Sequence, residues 1–285
     1  MLALLVAVFP LVSQANDAGQ HMLWQVESNG GVMYLLGSVH ALRPDDYPLA
    51  EAYERAYQLA DRVMLEINPQ QDTPERIQQL SQKLGFISEG ESLQDYLSSD
   101  GYRRAMLLAK QLGLNTRVLN HLEPWLGALT VVAEQMMRAG FQMMMGVDNH
   151  FADRAIRDKK PLSGLETADY QISLFDGLSA EVQEAFLLQS LEEAGDFQND
   201  MAELVGFWLA GDIDELYRIT QEDLKEYPEV HEIILLQRNR NWIPQLEREL
   251  KHGGTVLVVV GALHLVGEDG VVQLLQKRGY KITRL

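Results

Sequence analysis

The chain has 285 residues, of which 46% are hydrophobic and 23% charged, and its net charge is −17 at pH 7. This composition is sufficient for a buried core and excludes a disordered protein, and the acidic excess argues against binding to nucleic acid. The absence of cysteine excludes disulfides, thiolate metal sites and thiol nucleophiles. Any metal site must therefore use histidine and carboxylate ligands.

Residues 1–15 are predicted to be a signal peptide. The apolar stretch from Leu2 to Val12 is too short to span a bilayer, and small residues at Ser13 and Ala15 favour cleavage after Ala15. No basic residue precedes the apolar stretch, so a buried N-terminal element is the alternative. We expect export to a bacterial periplasm or the exterior, a mature chain without an integral membrane span, and one domain over residues 21–285.

The first predicted elements are a hairpin, a helix and a strand. Strands at Leu23–Glu27 and Val32–Leu36 flank an Asn-Gly-Gly turn, which is a strong hairpin signal. The next segment predicts a helix, and Val63–Asn68 is an apolar strand followed by a loop. One face of that helix carries its apolar residues, namely Leu49, Ala52, Tyr53, Ala56, Tyr57 and Ala60.

The middle of the chain is predicted to be mostly helical, from Thr73 to Met145 and again from residue 178 to 250. Between them, "GVDNHFADRAIRDKKPLSGLET" indicates a loop, a helix and a strand ending at Glu166. The run "WLGALTVVAEQMMRAGFQMMM" predicts a buried helix because it is apolar on nearly every side. Its methionines suit core filling, with the lining of a ligand pocket as the alternative.

The chain ends in the strand "TVLVVV", the helix "DGVVQLLQKRG" and the strand "YKITRL". Strands therefore cluster towards both ends of the chain, around a helical middle. We predict the α/β class, with a central sheet built from N-terminal and C-terminal strand segments.

A Gly-x-x-His unit follows five consecutive apolar residues twice, in "VMYLLGSVH" ending at His40 and in "VLVVVGALH" ending at His264. In α/β sheets, ligands bind beyond the carboxyl ends of strands, and a glycine there allows a sharp turn. A lone histidine in a loop is usually structural, but the repeated unit indicates that both histidines meet at one site.

Two imidazoles need a carboxylate to make a good metal site. Glu66 ends the strand expected to neighbour the first Gly-x-x-His strand, and Glu166 also ends a strand. Two histidines and one carboxylate suit a divalent ion such as Zn, Mn, Co or Fe, and a second carboxylate could act as general base. Either glutamate could instead be solvated or paired with an arginine. Arg238 is a candidate for contacting a substrate carboxylate or an oxyanion, with a surface position as the alternative.

The sequence resembles the TraB/GumN family, which includes the animal Tiki proteins. The similarity extends over nearly the whole chain after the leader and rests on an ordered set of segments: "LWQVESNGGVMYLLGSVHALRPDDYPL", "ADRVMLEIN", "GVDNHF", "KPLSGLET", "QRNRNW" and "VVVGALHLVGEDGVVQLLQKRGYKI". The two Gly-x-x-His units are the hallmark of that family.

The resemblance implies both a fold and a site. Tiki proteins are regarded as metal-dependent proteases, and the family is similar in fold to the erythromycin-esterase and ChaN-like proteins. By this resemblance His40, Glu66 and His264 would hold a divalent metal ion, while Arg238 and the less settled Glu166 would be catalytic. Tiki proteins also carry a membrane anchor that is not expected here.

Two functions follow as hypotheses. The first is an exported metal-dependent hydrolase, most simply a peptidase acting on a peptide or protein substrate through metal-activated water. The second is a non-catalytic binding protein on the same fold, which would hold haem or sequester a peptide signal.

Overall fold

The computed structural model describes residues 20–285, without the side chains of residues 221–226. The predicted signal peptide, residues 1–15, lies outside the described residues. Two buried clusters hold the chain together. The larger surrounds the sheet, and the smaller joins helices from the middle of the sequence.

Within residues 20–285, six strands form one mixed sheet in the order β4-β3-β5-β2-β1-β6. The predicted α/β class is confirmed at this level. The strands are β1 Leu23–Glu27, β2 Gly31–Ser38, β3 Arg62–Ile67, β4 Leu162–Glu166, β5 Gly254–Gly261 and β6 Lys281–Arg284.

The predicted hairpin is confirmed, with β1 and β2 antiparallel and Glu27 opposite Val32. β2 is longer at both ends than the sequence indicated. β2 and β5 then run parallel in full register, from Gly31 opposite Gly254 to Ser38 opposite Gly261. The two strands of the Gly-x-x-His units are therefore direct neighbours, and the histidines leave them at the same edge.

The expected neighbour of the Glu66 strand is wrong. β3 pairs with β5 and β4, and not with the first Gly-x-x-His strand, β2. The reason is that β1 covers one edge of β2 and β5 covers the other. Glu66 consequently lies next to the second Gly-x-x-His unit.

Helices fill the connections, and α13 packs against β2 while α7 packs against β3, β4 and β5. Among the described residues, no helix is both long enough and apolar enough to cross a membrane. The α-helices are α1 Glu51–Leu59, α2 Pro74–Gly85, α3 Leu93–Tyr96, α4 Ser99–Gln111, α5 Thr116–Leu119, α6 Pro124–Arg138, α7 Val147–Asp158, α8 Ala168–Asp176, α9 Ala180–Glu192, α10 Phe197–Ala210, α11 Ile213–Glu226, α12 Pro228–Val230, α13 Gln237–His252 and α14 Val271–Lys277. Between α12 and α13 the segment His231–Leu236 is a π-helix.

The buried helix predicted from Trp125 to Met145 is wrong at its C-terminal end. α6 stops at Arg138, before Gly140, whose φ of 83° ends the helical path. Three methionines at or beyond this end are exposed rather than in the core: Met137 (69%), Met143 (58%) and Met144 (73%). Apolar composition alone did not separate this surface segment from the buried first half of the helix.

Candidate active site

The candidate site lies at the edge where the parallel strands β2, β5, β3 and β4 end. Gly261 is at its centre. A Cβ atom placed on Gly261 would lie 3.4 Å from Oε1 of Glu66, 3.5 Å from Cδ2 of His264 and 3.6 Å from Nε2 of His40. The structure thus brings together the three side chains predicted as metal ligands, around a residue that contributes no side chain.

The glycines of the two Gly-x-x-His units provide space at the ends of their strands. Neither Gly37 nor Gly261 has a positive φ angle, and a 3-10 turn, Ala262–His264, follows Gly261 directly. A Cβ on Gly37 would lie only 3.0 Å from Cα of Ala262. The backbones of the two units lie close together at these positions. A side chain at Gly261 would enter the site, and one at Gly37 would crowd the backbone of Ala262 that supports it.

Arg238 connects the acidic side chains to the second histidine. It is buried, with 6% of its surface exposed, so the alternative of a surface arginine is wrong. Its Nη2 donates to Oε2 of Glu66 at 2.5 Å, and its Nη1 lies 3.1 Å from Nε2 of His264. Its Nε donates to Oε2 of Glu166 at 3.0 Å. One guanidinium therefore contacts three of the predicted site residues.

Glu166 is the more enclosed of the two carboxylates, since 4% of its side chain is exposed compared with 12% for Glu66. The indole of Trp242 donates to its Oε1 at 2.7 Å. The amide of Gln171 donates to its Oε2 at 3.0 Å and to Oε2 of Glu66 at 3.1 Å. These neutral donors and Arg238 hold the two carboxylates side by side.

Glu66 is held in its ionised form. Burial opposes ionisation, but His264, His40 and Arg238, together with the N–H of Gly261, lower the pKa of Glu66 to about 2. That N–H donates to Oε1 at 2.7 Å. The strand end therefore presents a carboxylate anion towards the histidines.

His264 is buried and neutral. Burial is the main cause that lowers the pKa of its imidazole to about 3; the charge of Glu66 opposes this effect, and those of Arg238 and His40 add to it. Its ring packs against Trp242, with centroids 4.4 Å apart. Arg238 can only donate, so Nε2 of His264 accepts from it through its lone pair.

His40 has a different environment, with 54% of its side chain exposed. Its Nδ1 lies 3.3 Å from Oδ1 of Asp148, near the start of α7. Burial of the enclosed part of the ring lowers the pKa of His40, but the carboxylate of Asp148, and after it that of Glu66, raise it to about 9. Solvent at the exposed part of the ring screens some of this effect. The two histidines of the repeated unit are thus not equivalent.

The family profile for the TraB/PrgY/gumN family matches residues 22–284. The chain belongs to this family. Two relatives match it with 23% identity over 249 residues, which is 85% of this chain and 87% of theirs. Both are named "Uncharacterized protein YbaP", one from Escherichia coli (strain K12) and one from Shigella flexneri. No solved structure matches the chain.

Imidazole and carboxylate groups, as in this TraB/PrgY/gumN chain, are suitable ligands for a divalent metal ion. Their donor atoms do not, however, all point at one common position where an ion could sit. Nε2 of His264 and Oε2 of Glu66 are both engaged by Arg238. In keeping with this, residues 20–285 contain no group of three or more His, Cys, Asp or Glu arranged as metal ligands. Each histidine nevertheless has an oxygen atom within 3.3 Å of its Nδ1, a common feature of metal-ligating histidines.

Sequence reasoning missed four residues of the site: Gln171, Trp242, Asn239 and Asp148. Asn239 accepts from Nδ1 of His264 at 2.6 Å. Three of the four stand in segments that carry the family resemblance, "GVDNHF" and "QRNRNW", which was the available signal. Gln171 stands on α8 outside any such segment, and nothing in the sequence singled it out.

Proposed function

We propose that this protein is a metal-dependent hydrolase, most simply an exported peptidase, with a divalent ion held by His40, Glu66 and His264. The observation that carries the proposal is the convergence of two imidazoles and one carboxylate around Gly261. Such a ligand set suits Zn, Mn, Co or Fe and leaves positions open for water and substrate. A bound ion would supply Lewis acidity for the activation of water.

The charges of the site bear directly on the binding of a further cation. Glu66 and Glu166 face a single guanidinium, that of Arg238, in two ion pairs. The raised pKa of His40 makes its imidazole a second cation beside Glu66. A divalent ion would therefore take the place of the His40 proton as the partner of the second carboxylate charge.

Arg238 and Glu166 have distinct roles in the proposal. Arg238 would stabilise negative charge that develops on a substrate carbonyl, or would bind a substrate carboxylate. Glu166 would hold Arg238 in position, because its oxygens already accept hydrogen bonds from Arg238, Trp242 and Gln171. A role of Glu166 as general base stays a prediction, and it requires one of these bonds to open.

The test is the metal content of protein purified without chelator. The wild type is compared with the double variant His40→Ala/His264→Ala and with His252→Ala, which changes an exposed histidine. We expect about one Mn, Co, Zn or Fe per chain in the wild type and in the control, and none in the double variant. Hydrolysis of a peptide library should follow the metal. If no added ion binds the wild type, the proposal is wrong.

A binding protein is the second candidate, and one observation favours it. The exposed Met143 and Met144 precede Asp148, the partner of His40, by five and four residues. Flexible apolar side chains of this kind suit a hydrophobic ligand such as haem or an apolar peptide. Haem titration distinguishes the two candidates, because a Soret shift that is lost in His40→Ala or His264→Ala would support binding.

A further inference from the structure

Asn239, on α13, is almost completely enclosed, with 1% of its surface exposed. Its side chain makes two contacts of opposite kind. Nδ2 donates to the backbone carbonyl of Asp269 at 3.0 Å, and Oδ1 lies 2.6 Å from Nδ1 of His264. The side chain therefore links the backbone that follows the second Gly-x-x-His unit to the histidine itself.

These contacts determine where the proton of His264 resides. A backbone carbonyl can only accept, so the amide nitrogen of Asn239 must face Asp269 and its oxygen must face His264. A neutral imidazole facing that oxygen carries its hydrogen on Nδ1. Nε2 is then the lone-pair nitrogen, which agrees with the guanidinium donor that Arg238 places against it. Fixed groups on both sides of the ring specify the same tautomer.

The start of α13 holds the ring from three directions. Arg238 contacts one nitrogen, the adjacent Asn239 contacts the other, and Trp242, one turn later, packs on the ring. The π-helical segment His231–Leu236 ends two residues before Arg238. Such irregular turns often occur beside functional sites because they change the direction of the side chains that follow.

We infer that Asn239 is a positioning residue that fixes His264 in the Nδ1–H tautomer, with the Nε2 lone pair directed into the site. The consequence for metal holding rests on the proposed function, because only the Nε2 lone pair could bind an ion there. The tautomer itself does not depend on it. An acceptor at Nδ1 also orients the ring and raises its strength as a ligand.

The test uses imidazole ¹⁵N NMR of metal-free full-length protein, with the His264 signals identified by their loss in His264→Gln. Asn239→Leu removes both polar contacts, Asn239→Ala removes them without adding bulk, and Asn239→Asp keeps an acceptor at Nδ1. We expect the wild type and Asn239→Asp to show one protonated nitrogen, Nδ1. Asn239→Leu and Asn239→Ala should show a mixture of the two tautomers, because the Arg238 contact alone then favours the Nδ1–H form.

Circular dichroism establishes which variants fold, and either acceptor-free variant suffices for a decision. A folded Asn239→Leu or Asn239→Ala protein that keeps the wild-type tautomer would overturn the inference. So would a wild-type spectrum in which Nε2 carries the hydrogen.

Cobalt binding provides the second readout. Co²⁺ absorption should show an affinity about 10–100-fold weaker in Asn239→Leu than in the wild type, with recovery in Asn239→Asp. If the wild type itself fails to bind Co²⁺, the proposed metal site is contradicted and the tautomer result stays intact. An unchanged affinity in Asn239→Leu, beside a wild type that binds Co²⁺, would instead contradict the positioning role alone.

Discussion

Nη1 of Arg238 lies 3.1 Å from Nε2 of His264, on the one lone pair of that ring that faces the site. The same guanidinium bonds Oε2 of Glu66 at 2.5 Å. A cation of the protein therefore occupies two of the donor atoms that a metal ion would use. Metal binding at this site requires Arg238 to withdraw from at least one of them.

The first prediction concerns Arg238→Gln. Removing the guanidinium leaves Glu66 and Glu166 unpaired, so the free energy of unfolding should fall by about 3–5 kcal/mol in the absence of metal. Co²⁺ should then bind at least about tenfold more tightly than in the wild type, which corresponds to about 1.4 kcal/mol. Urea unfolding with and without Co²⁺ measures both effects.

Arg238→Lys is the matched control, because it keeps the charge but cannot contact all three partners at once. Its Co²⁺ affinity should lie between those of the wild type and Arg238→Gln. Weaker Co²⁺ binding by Arg238→Gln than by the wild type would mean that Arg238 assists the ion rather than competing with it.

The second prediction concerns the space at Gly261. In Gly261→Ala the new methyl group would be in ordinary van der Waals contact with Glu66, His264 and His40, so the protein should fold with a stability within about 1 kcal/mol of the wild type. The methyl group would nevertheless occupy the space between the donors. We expect loss of Co²⁺ binding by at least about tenfold, since small displacements in such sites have large effects.

Gly206→Ala serves as the comparison for Gly261→Ala, because a Cβ on Gly206 would meet no atom within 4 Å. That variant should bind Co²⁺ as the wild type does. Normal Co²⁺ binding by a folded Gly261→Ala protein would show that the ion, if any, lies elsewhere.

The third prediction tests the exposed methionines. Changing Met143 and Met144 to serine should alter the free energy of unfolding by no more than about 0.5 kcal/mol, because both side chains are exposed. Met33→Ala, at a fully buried position of β2, should cost about 2–5 kcal/mol. Chemical denaturation of the three proteins compares these values. A cost for the double variant similar to that of Met33→Ala would place these methionines in the core.

The fourth prediction concerns alkaline pH. Burial raises the pKa of Tyr53 to about 12, although the N–H of Met22 and the charge of Arg284 act in the opposite direction. The fold thus favours the neutral phenol, and this contribution is complete below pH 10 and is lost as the pH rises towards 12. Tyr53→Phe should therefore lose less stability between pH 9 and pH 11 than the wild type, on the order of 1 kcal/mol less.

Urea unfolding at several pH values measures this difference. Equal pH dependence in the wild type and Tyr53→Phe would show that the Tyr53 phenol ionises alike in the folded and unfolded chains.

Local sequence signals predicted the elements of the sheet well. β1 has the predicted bounds, because the turn between Glu27 and Val32 fixes the hairpin, and β5 was visible as an uninterrupted apolar run. Strand order was less accessible, because pairing between β3 and β5 joins segments about 190 residues apart. No local pattern reports such a pairing.

In the site, too, some residues were visible in the local sequence and others were not. His40 and His264 were identified by their repeated context and Glu66 by its strand end, and the structure brings them together. The roles of hydrogen-bond partners such as Asn239 and Gln171 were not visible in the local pattern, since a polar residue on a helix looks the same whether it faces solvent or a buried ring. Burial of Arg238 escaped prediction for the same reason.

The adjacency of β2 and β5 also determines when the site can first exist during synthesis. One histidine, His40, is made more than two hundred residues before the other, His264, and the strands that precede them pair directly with each other. A chain that grows from its N-terminus therefore carries β1, β2 and β3 for most of its synthesis without the strand that joins them. The two histidines therefore come together in one late step, and a copy that ends before β5 lacks one of them.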